Sequence, residues 1–347
     1  MTAFSRDIID RFTSLVNAAK RIVIVCHMTP DGDAMGSSLC LMHTLRAMGK
    51  HVTAISPDAY PRNLAFLPGA SDISVATYHH ERVRYALLHA NLVFCLDFND
   101  LKRIDRLAPL VEAARCPRIM IDHHLNPAME GDILISHPEK SSTCALLFEV
   151  LKAAGMDRYI DTDAATCCCA GMMTDTGNFA YNANDPALYS ILAYLMERGV
   201  DKDSLYNRLF NTNSLARIRI MGYCQYAKTL VLPEHKCAII TLSREETREF
   251  GYTKGDTEGL VNIPLSIPGI IFSIYLRQDE ENYVKVSMRS KGDFSVKEIC
   301  EKHFGGGGHH NAAGGEIHAS FEEAFAKILD ILPECDLMLE SMNEDRQ

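Results

Sequence analysis

The sequence predicts an α/β fold in two parts: an N-terminal parallel sheet with helices on both faces, then a smaller α/β domain with a mixed sheet. Three observations carry this expectation. Short apolar runs at 21–27, 51–57, 90–98 and 116–124 read as strands, and helix-patterned stretches lie between them. Strands alternating with helices imply a parallel sheet covered on both faces. After about residue 190 the texture changes, and strand-like runs at 237–243, 269–278, 283–290 and 314–320 fall among shorter helical segments.

The opening "MTAFSRDIIDRF" carries two aspartates and reads as an amphipathic helix, not a signal peptide. "RIVIVCH" is the first strand, and "MGSSLCLMHTLRAMG" (35–49) is a helix ending on a glycine stop. "HVTAISP", "ANLVFCLDF", "CPRIMIDHH" and "DILISH" (132–137) continue the sheet. Helices follow at 142–154, 162–173 and 185–199, and a helical connection leads into the second sheet. There, helices fill 244–250, 295–303 and 321–332, and the tail "ESMNEDRQ" is polar and frayed. The expected boundaries are 1–190 for the first domain, 191–232 for a helical linker, 233–333 for the second domain and 334–347 for a polar tail.

The chain has 347 residues, 47% of them hydrophobic, enough for two cores. No apolar run approaches the roughly 20 residues that span a bilayer, so the expectation is a cytoplasmic protein with no membrane partner. Twelve cysteines are scattered, three of them consecutive (Cys167, Cys168, Cys169), which suits neither a disulfide framework nor a CxxC zinc site. They read as small apolar core residues in a reducing compartment. A net charge of −10 argues against gripping long nucleic acid, which needs a basic track. A short anionic substrate remains open if bound metal supplies positive charge.

In a parallel α/β sheet, functional groups collect at the carboxyl ends of the strands. His27 ends the first strand, with Asp31 and Asp33 in the loop after it. Asp97 ends "NLVFCLD", Asp122, His123 and His124 end "RIMIDHH", and Asp175 lies in "GMMTDTGNF". Each piece alone is weak, since a histidine after a strand is usually structural and "DGD" is usually a turn. The adjacent pair His79–His80 has no strand attached and reads as surface. Together, though, four separated segments deliver carboxylates and imidazoles to one sheet edge, where unpaired acids would repel one another. That donor set suits a pair of divalent metals, manganese over zinc because carboxylates predominate.

These motifs, in this order, resemble the DHH phosphoesterases: His27-x-x-x-Asp31-x-Asp33, a lone Asp97, Asp122-His123-His124, and Asp175 in "TDTGNF". "KVSMRS" followed by "FGGGGHHNAAGG" is similar to the DHH-associated C-terminal domain, with Arg289, Ser290 and Gly306, Gly307, Gly308 and His309 at its motif positions. The resemblance implies a DHH catalytic domain and a substrate-binding second domain, with the active site in the cleft between them. It also implies two divalent metal ions, His27 and Asp31 on one, Asp33, His123 and Asp175 on the other, and Asp97 bridging. His124 would face the substrate phosphate, and Asp122 would orient the histidines. The glycines and Arg289 would hold a second phosphate, and a short glycine stretch followed at once by a strand is a poor flexible linker.

Across 277–302 six Lys/Arg face six Asp/Glu, which is no track for a polymer. Within the family, length and architecture resemble those of the bacterial oligoribonucleases that also remove the 3′-phosphate of pAp. Expected substrates are very short oligoribonucleotides or pAp, with no long nucleic acid and with a homodimer left open. The rival reading is a phosphodiesterase of cyclic or linear di-adenosine nucleotides, followed by an exopolyphosphatase, a single-strand exonuclease or a non-catalytic nucleotide-binding regulator.

Overall fold

A computed structural model describes residues 4–344, and within it the chain divides into two compact units, Met1–Thr212 and Asn213–Gln347. The first opens with helix α1 (Arg6–Ala18), strand β1 (Arg21–Val25), helix α2 (Gly32–Ala47) and strands β2 (His51–Ser56) and β3 (Ser74–Val75). Helix α3 (His80–Leu88), strand β4 (Leu92–Leu96), helix α4 (Ala108–Glu112) and strands β5 (Arg118–Asp122) and β6 (Ile133–Ser136) follow. Helices α5 (Thr143–Ala153), α6 (Thr162–Asp175), α7 (Pro186–Glu197) and α8 (Lys202–Phe210) complete the unit. Most of the helices open on a side chain that accepts a first-turn N–H, among them Ser5, Asp31, Ser142, Asp161, Asp185 and Asp201.

All strands of the first sheet run parallel in the order β3-β2-β1-β4-β5-β6. Side-chain alternation sends Ile22, Ile24, Phe94, Leu96, Ile119 and Ile121 into a core shared with α1, α2, α5 and α6. Val23, Val25, Val93, Cys95 and Met120 pack on the other face with Val83, Leu87 and Val111. Strand order reverses between β1 and β4, the place where such sheets open a crevice at their carboxyl ends. His27 and Asp97 stand just past those two strands.

The second unit contains α9 (Leu215–Ala227), β7 (Thr229–Leu232), β8 (Cys237–Leu242), α10 (Arg244–Glu249), β9 (Phe272–Glu280) and β10 (Tyr283–Ser290). It ends with α11 (Val296–His303), β11 (Gly307–His309), β12 (Ala312–Ile317) and α12 (Phe321–Glu344). Its sheet has the order β11-β12-β10-β9-β8-β7 and is mixed, since only β8 and β9 run parallel. One face packs on α11 and α12, the other on Ile220 and Cys224 of α9 with Leu260 and Val261.

Two boundaries differ from expectation. The linker expected over 191–232 does not exist as a separate piece. Leu205 and Leu209 of α8 bury in the first core and Ile220 and Cys224 of α9 in the second, so the division falls between Thr212 and Asn213. The polar tail expected from 334 instead extends α12 to Glu344, because Cys335 and Leu339 are buried against the second sheet. Its last residues, 345–347, lie outside the described residues, as do 1–3. Among the described residues no helix is long and apolar enough to cross a membrane. All twelve cysteines are free, eleven of them buried.

Helices α2 and α6 lie against one another almost without side chains at their crossing. A Cβ on Gly36 would stand 2.6 Å from the Cys167 carbonyl oxygen and 3.0 Å from the Gly171 backbone. Gly36→Val should therefore push the helices apart and cost about 1–3 kcal/mol of stability, measured by urea denaturation. An unchanged midpoint would show that the crossing is not tight.

Candidate metal centre

Eight charged or imidazole side chains gather at the carboxyl end of the first sheet. His27 follows β1 and is buried. Asp31 caps α2, its Oδ1 accepting the backbone N–H groups of Asp33 and Ala34 at 3.0 and 3.1 Å. Asp33, in the first turn of α2, is fully buried. Its Oδ2 accepts the N–H of Thr143 at 2.5 Å and its Oδ1 that of Cys144 at 2.9 Å, so the amino end of α5 grips both oxygens. Asp97, just past β4, is buried with φ at 64°, a left-handed conformation that Asp tolerates better than most residues. Its Oδ1 accepts the Thr143 hydroxyl at 2.8 Å.

Asp97 is the hub. His27 Nε2 lies 3.3 Å from its Oδ2, and His123 Nε2 and His124 Nδ1 each lie 3.7 Å from its Oδ1. Asp175, the last residue of α6, places Oδ2 3.2 Å from His123 Nε2. The ligand atoms fall into three overlapping sets, each within 4.8 Å: His27, Asp31 and Asp97; Asp33, His123 and Asp175; and Asp97, His123 and His124.

The histidines are fixed from behind. His27 Nδ1 meets the Met28 carbonyl oxygen at 2.7 Å, and His123 Nδ1 meets that of Lys140 at 3.1 Å. A carbonyl only accepts, so both Nδ1 atoms carry a proton and both Nε2 atoms turn toward the carboxylates. His27 Nε2 is buried and makes no hydrogen bond of good geometry, despite Asp97 nearby. A buried, orphaned ring nitrogen aimed into a group of carboxylates is the donor set of a metal site. Asp122 orients His124 alone, through Nδ1 at 2.7 Å and the backbone N–H at 2.9 Å, rather than both histidines.

Electrostatics agree. Burial, then the charges of Asp97 and Asp175, push the Asp33 carboxyl well up. Burial and Asp97 raise Asp175 to about 7. Burial also opposes ionisation of Asp97, but His27, His123 and His124 outweigh it and hold it at about 2. Burial works against a charged His27, yet Asp97 and then Asp31 raise its pKa. The site thus retains protons where a cation would discharge the same repulsion.

Sequence reasoning missed three residues that shape this centre. Thr143 touches both Asp33 and Asp97. Lys140, buried and paired with Glu149 and Asp185, fixes the carbonyl that holds His123. Asn99 donates to the carbonyls of His124 and Leu125. The "SST" before an apolar helix signals a cap, but nothing local says which carboxylate that cap meets.

In the second unit, Arg289 is half-buried and donates to the carbonyls of Met288 and Ala313, with no carboxylate partner among the described residues. Burial lowers its pKa. The Ser290 hydroxyl donates to the Phe294 carbonyl and accepts from Asn311, so it serves the turn after β10. The glycine stretch is an edge strand rather than an open loop: Gly307–His309 pair with β12, and a Cβ on Gly306 would overlap the Gly314 carbonyl. His309 is exposed on that edge, and His79 and His80 are exposed at the start of α3.

Without a cation, Asp175 titrates near 7 when folded and near its ordinary 3.8 when unfolded. The native state then holds more protons, and stability falls as pH rises from about 4 to about 7; Asp33 and His27 act in the same direction. Added Mn2+ should therefore raise Tm more at about pH 8 than at about pH 5.5, and equal shifts would count against proton displacement from this cluster. Thr143→Val should weaken Mn2+ binding by roughly tenfold or more, read by calorimetry; wild-type affinity would show that its hydroxyl does not position Asp97.

The chain is similar to known proteins along most of its length. Residues 21–172 match the DHH family, N-terminal domain, and residues 235–335 match the DHHA1 domain. The chain is 31% identical to the bifunctional oligoribonuclease and PAP phosphatase NrnA of Thermus thermophilus, over 90% of this chain and 89% of that protein. It is 26% identical to the protein of the same name from Bacillus subtilis, over 90% and 94%. A cyclic-di-AMP phosphodiesterase, GdpP of Geobacillus thermodenitrificans, matches at 24% over 87% of this chain but only 45% of its own length. Among solved structures, an exopolyphosphatase-related protein from Bacteroides fragilis superposes with a TM-score of 0.94 at 42% identity, covering 98% of this chain and 99% of that one. RecJ of Thermus thermophilus with Mn2+ shares the fold alone, with a TM-score of 0.55 at 16% identity over 96% of this chain and 55% of that one. The chain belongs to the DHH family and carries a DHHA1 domain in its second unit.

Proposed function

We propose that this protein is a two-metal, manganese-dependent phosphoesterase that hydrolyses very short oligoribonucleotides to mononucleotides and removes the 3′-phosphate of pAp. The observation that carries the reading is the run of three ligand sets, in which Asp97 links His27 and Asp31 to His123 and His124, and His123 links Asp97 to Asp33 and Asp175. His27, Asp31 and Asp97 would hold one cation; Asp33, His123 and Asp175, with Asp97 shared, would hold the other. Such cations supply an acidified water for attack on phosphorus and positive charge against the phosphoryl oxygens. The chain's own residues do the rest. The Thr143 hydroxyl and the amino end of α5 keep Asp97 and Asp33 aimed. Asp122 orients His124 through its Nδ1 and backbone N–H, and a ring so held is suited to meet a phosphoryl oxygen or to hand a proton to the departing ribose oxygen.

Arg289, with no acidic partner among the described residues, is assigned to a substrate phosphate, and His309 with Gly306, Gly307 and Gly308 to the same recognition surface. The names of the relatives support this substrate class. Both pAp and a short oligoribonucleotide present a phosphate on a ribose 3′ oxygen, so one centre can serve both. A chain of net charge −10 suits a short anion better than a polymer.

Rates on pAp, pApA, cyclic di-AMP and polyphosphate with added Mn2+ should be highest for pAp and pApA. A strong preference for cyclic di-AMP or polyphosphate would overturn this substrate assignment. Asp97→Asn keeps the left-handed backbone accessible and should lower kcat by at least about 100-fold. Near-normal turnover by that variant would overturn the two-metal reading itself.

A further inference from the structure

The other end of the first sheet carries an opposite electrostatic problem. A depression of about 560 Å3 opens at the amino ends of β1 and β2, bounded by the end of α2 and one face of α3. Four Lys/Arg side chains line it (Arg21, Arg46, Lys50 and Arg82), and no Asp or Glu does. In a chain where acids outnumber bases 45 to 35, that is a marked segregation. Arg46 pairs with Asp72 outside the lining at 2.6 Å. Among the described residues, Arg21, Lys50 and Arg82 have no carboxylate within ion-pair distance. Lys50 Nζ donates to the carbonyls of Asn17 and Ala19, and Arg21 Nε to that of His89. These bonds fix where the charges sit without neutralising them.

An aromatic surface adjoins the cations. Tyr85 of α3 and His89, the residue just after that helix, stack at 4.1 Å between ring centroids and 29° between planes. Tyr85 is 66% exposed and lines the depression. Strand β3 pairs only with Ile55 and Ser56 of β2, which leaves residues 51–53 as an open edge along the same hollow. A simple solvated basic face would scatter its charges among acids. Here cations without carboxylate partners line one hollow together with an exposed aromatic stack, the pairing that recognises a phosphate attached to a base.

We propose that this depression binds a nucleoside phosphate, its phosphate among Arg21, Lys50 and Arg82 and its base on the Tyr85–His89 stack. The site is distinct from the metal centre. Arg21 and His27 stand at opposite ends of β1, and at about 3.3 Å per residue the two are roughly 20 Å apart. A mononucleotide cannot touch both, so an occupant would act as an effector or as retained product rather than as the reacting molecule.

The test uses the full chain in EDTA, which removes the metal centre from competition and makes the result independent of the proposed activity. Calorimetric titration with AMP should saturate, and inorganic phosphate should bind at least about tenfold more weakly. Arg82→Glu should weaken AMP binding by at least about tenfold, and Tyr85→Ala should bring AMP down toward the affinity of phosphate. Arg84→Glu, on the same helix but paired with Glu81, should change neither. Melting curves check that each variant folds, and Arg82→Gln serves if the charge reversal does not. No saturation below about 10 mM AMP, or unchanged affinity in a folded Arg82 variant, would overturn the site. Equal affinity for AMP and phosphate would overturn the nucleoside.

Discussion

The carboxylate of Asp33 is the point on which the first unit turns. It is wholly buried, and its two oxygens take the first free N–H groups of α5. An acid so placed would be prohibitive without those donors, and the helix end would be equally poor without an acceptor. Each satisfies the other. The contact ties α2 to α5, and the tight approach of Gly36 and Gly171 ties α2 to α6, which ends in Asp175. Three helices are thereby indexed to one another at the end where β1 and β4 diverge.

That indexing explains why so many acids tolerate one another. Asp97 can stay ionised because three imidazoles surround it, whereas Asp33 and Asp175 resist ionisation because they are buried and because Asp97 is already charged. The cluster behaves as a coupled unit in which protons and cations compete for the same oxygens. Supporting bonds from Met28, Lys140 and Asp122 spend the outward nitrogens of the three rings. The ring faces left to the centre are therefore set by backbone geometry and not by the cluster's own charge.

Much of this was legible in the sequence because a buried parallel strand is written as an unbroken apolar run, and its end is marked by the first polar residue. His27, Asp97 and Asp122 stand at such ends, so their convergence followed from topology alone. What the sequence concealed was short or tertiary. Strands β3 and β11 have only two and three residues, too few for periodicity to register. Helix α3, HERVRYALL, hides its two buried positions, Val83 and Leu87, among charges. The role of Thr143 depends on which helix its cap faces, and a carboxylate 110 residues earlier in the chain is invisible locally. The tail misled because Cys335 and Leu339 are sparse apolar anchors in a polar stretch, enough to continue a helix already begun.

The thiols have a practical corollary. Eleven of twelve are sealed in cores, and burial holds those of Cys26 and Cys95 at about 12, far from the thiolate form that attacks electrophiles. Only Cys116, just before β5, reaches the surface in part. A maleimide or iodoacetamide dye added to the native protein would consequently report from one position. That gives a fluorescent handle on the wild-type chain without first stripping out its other cysteines.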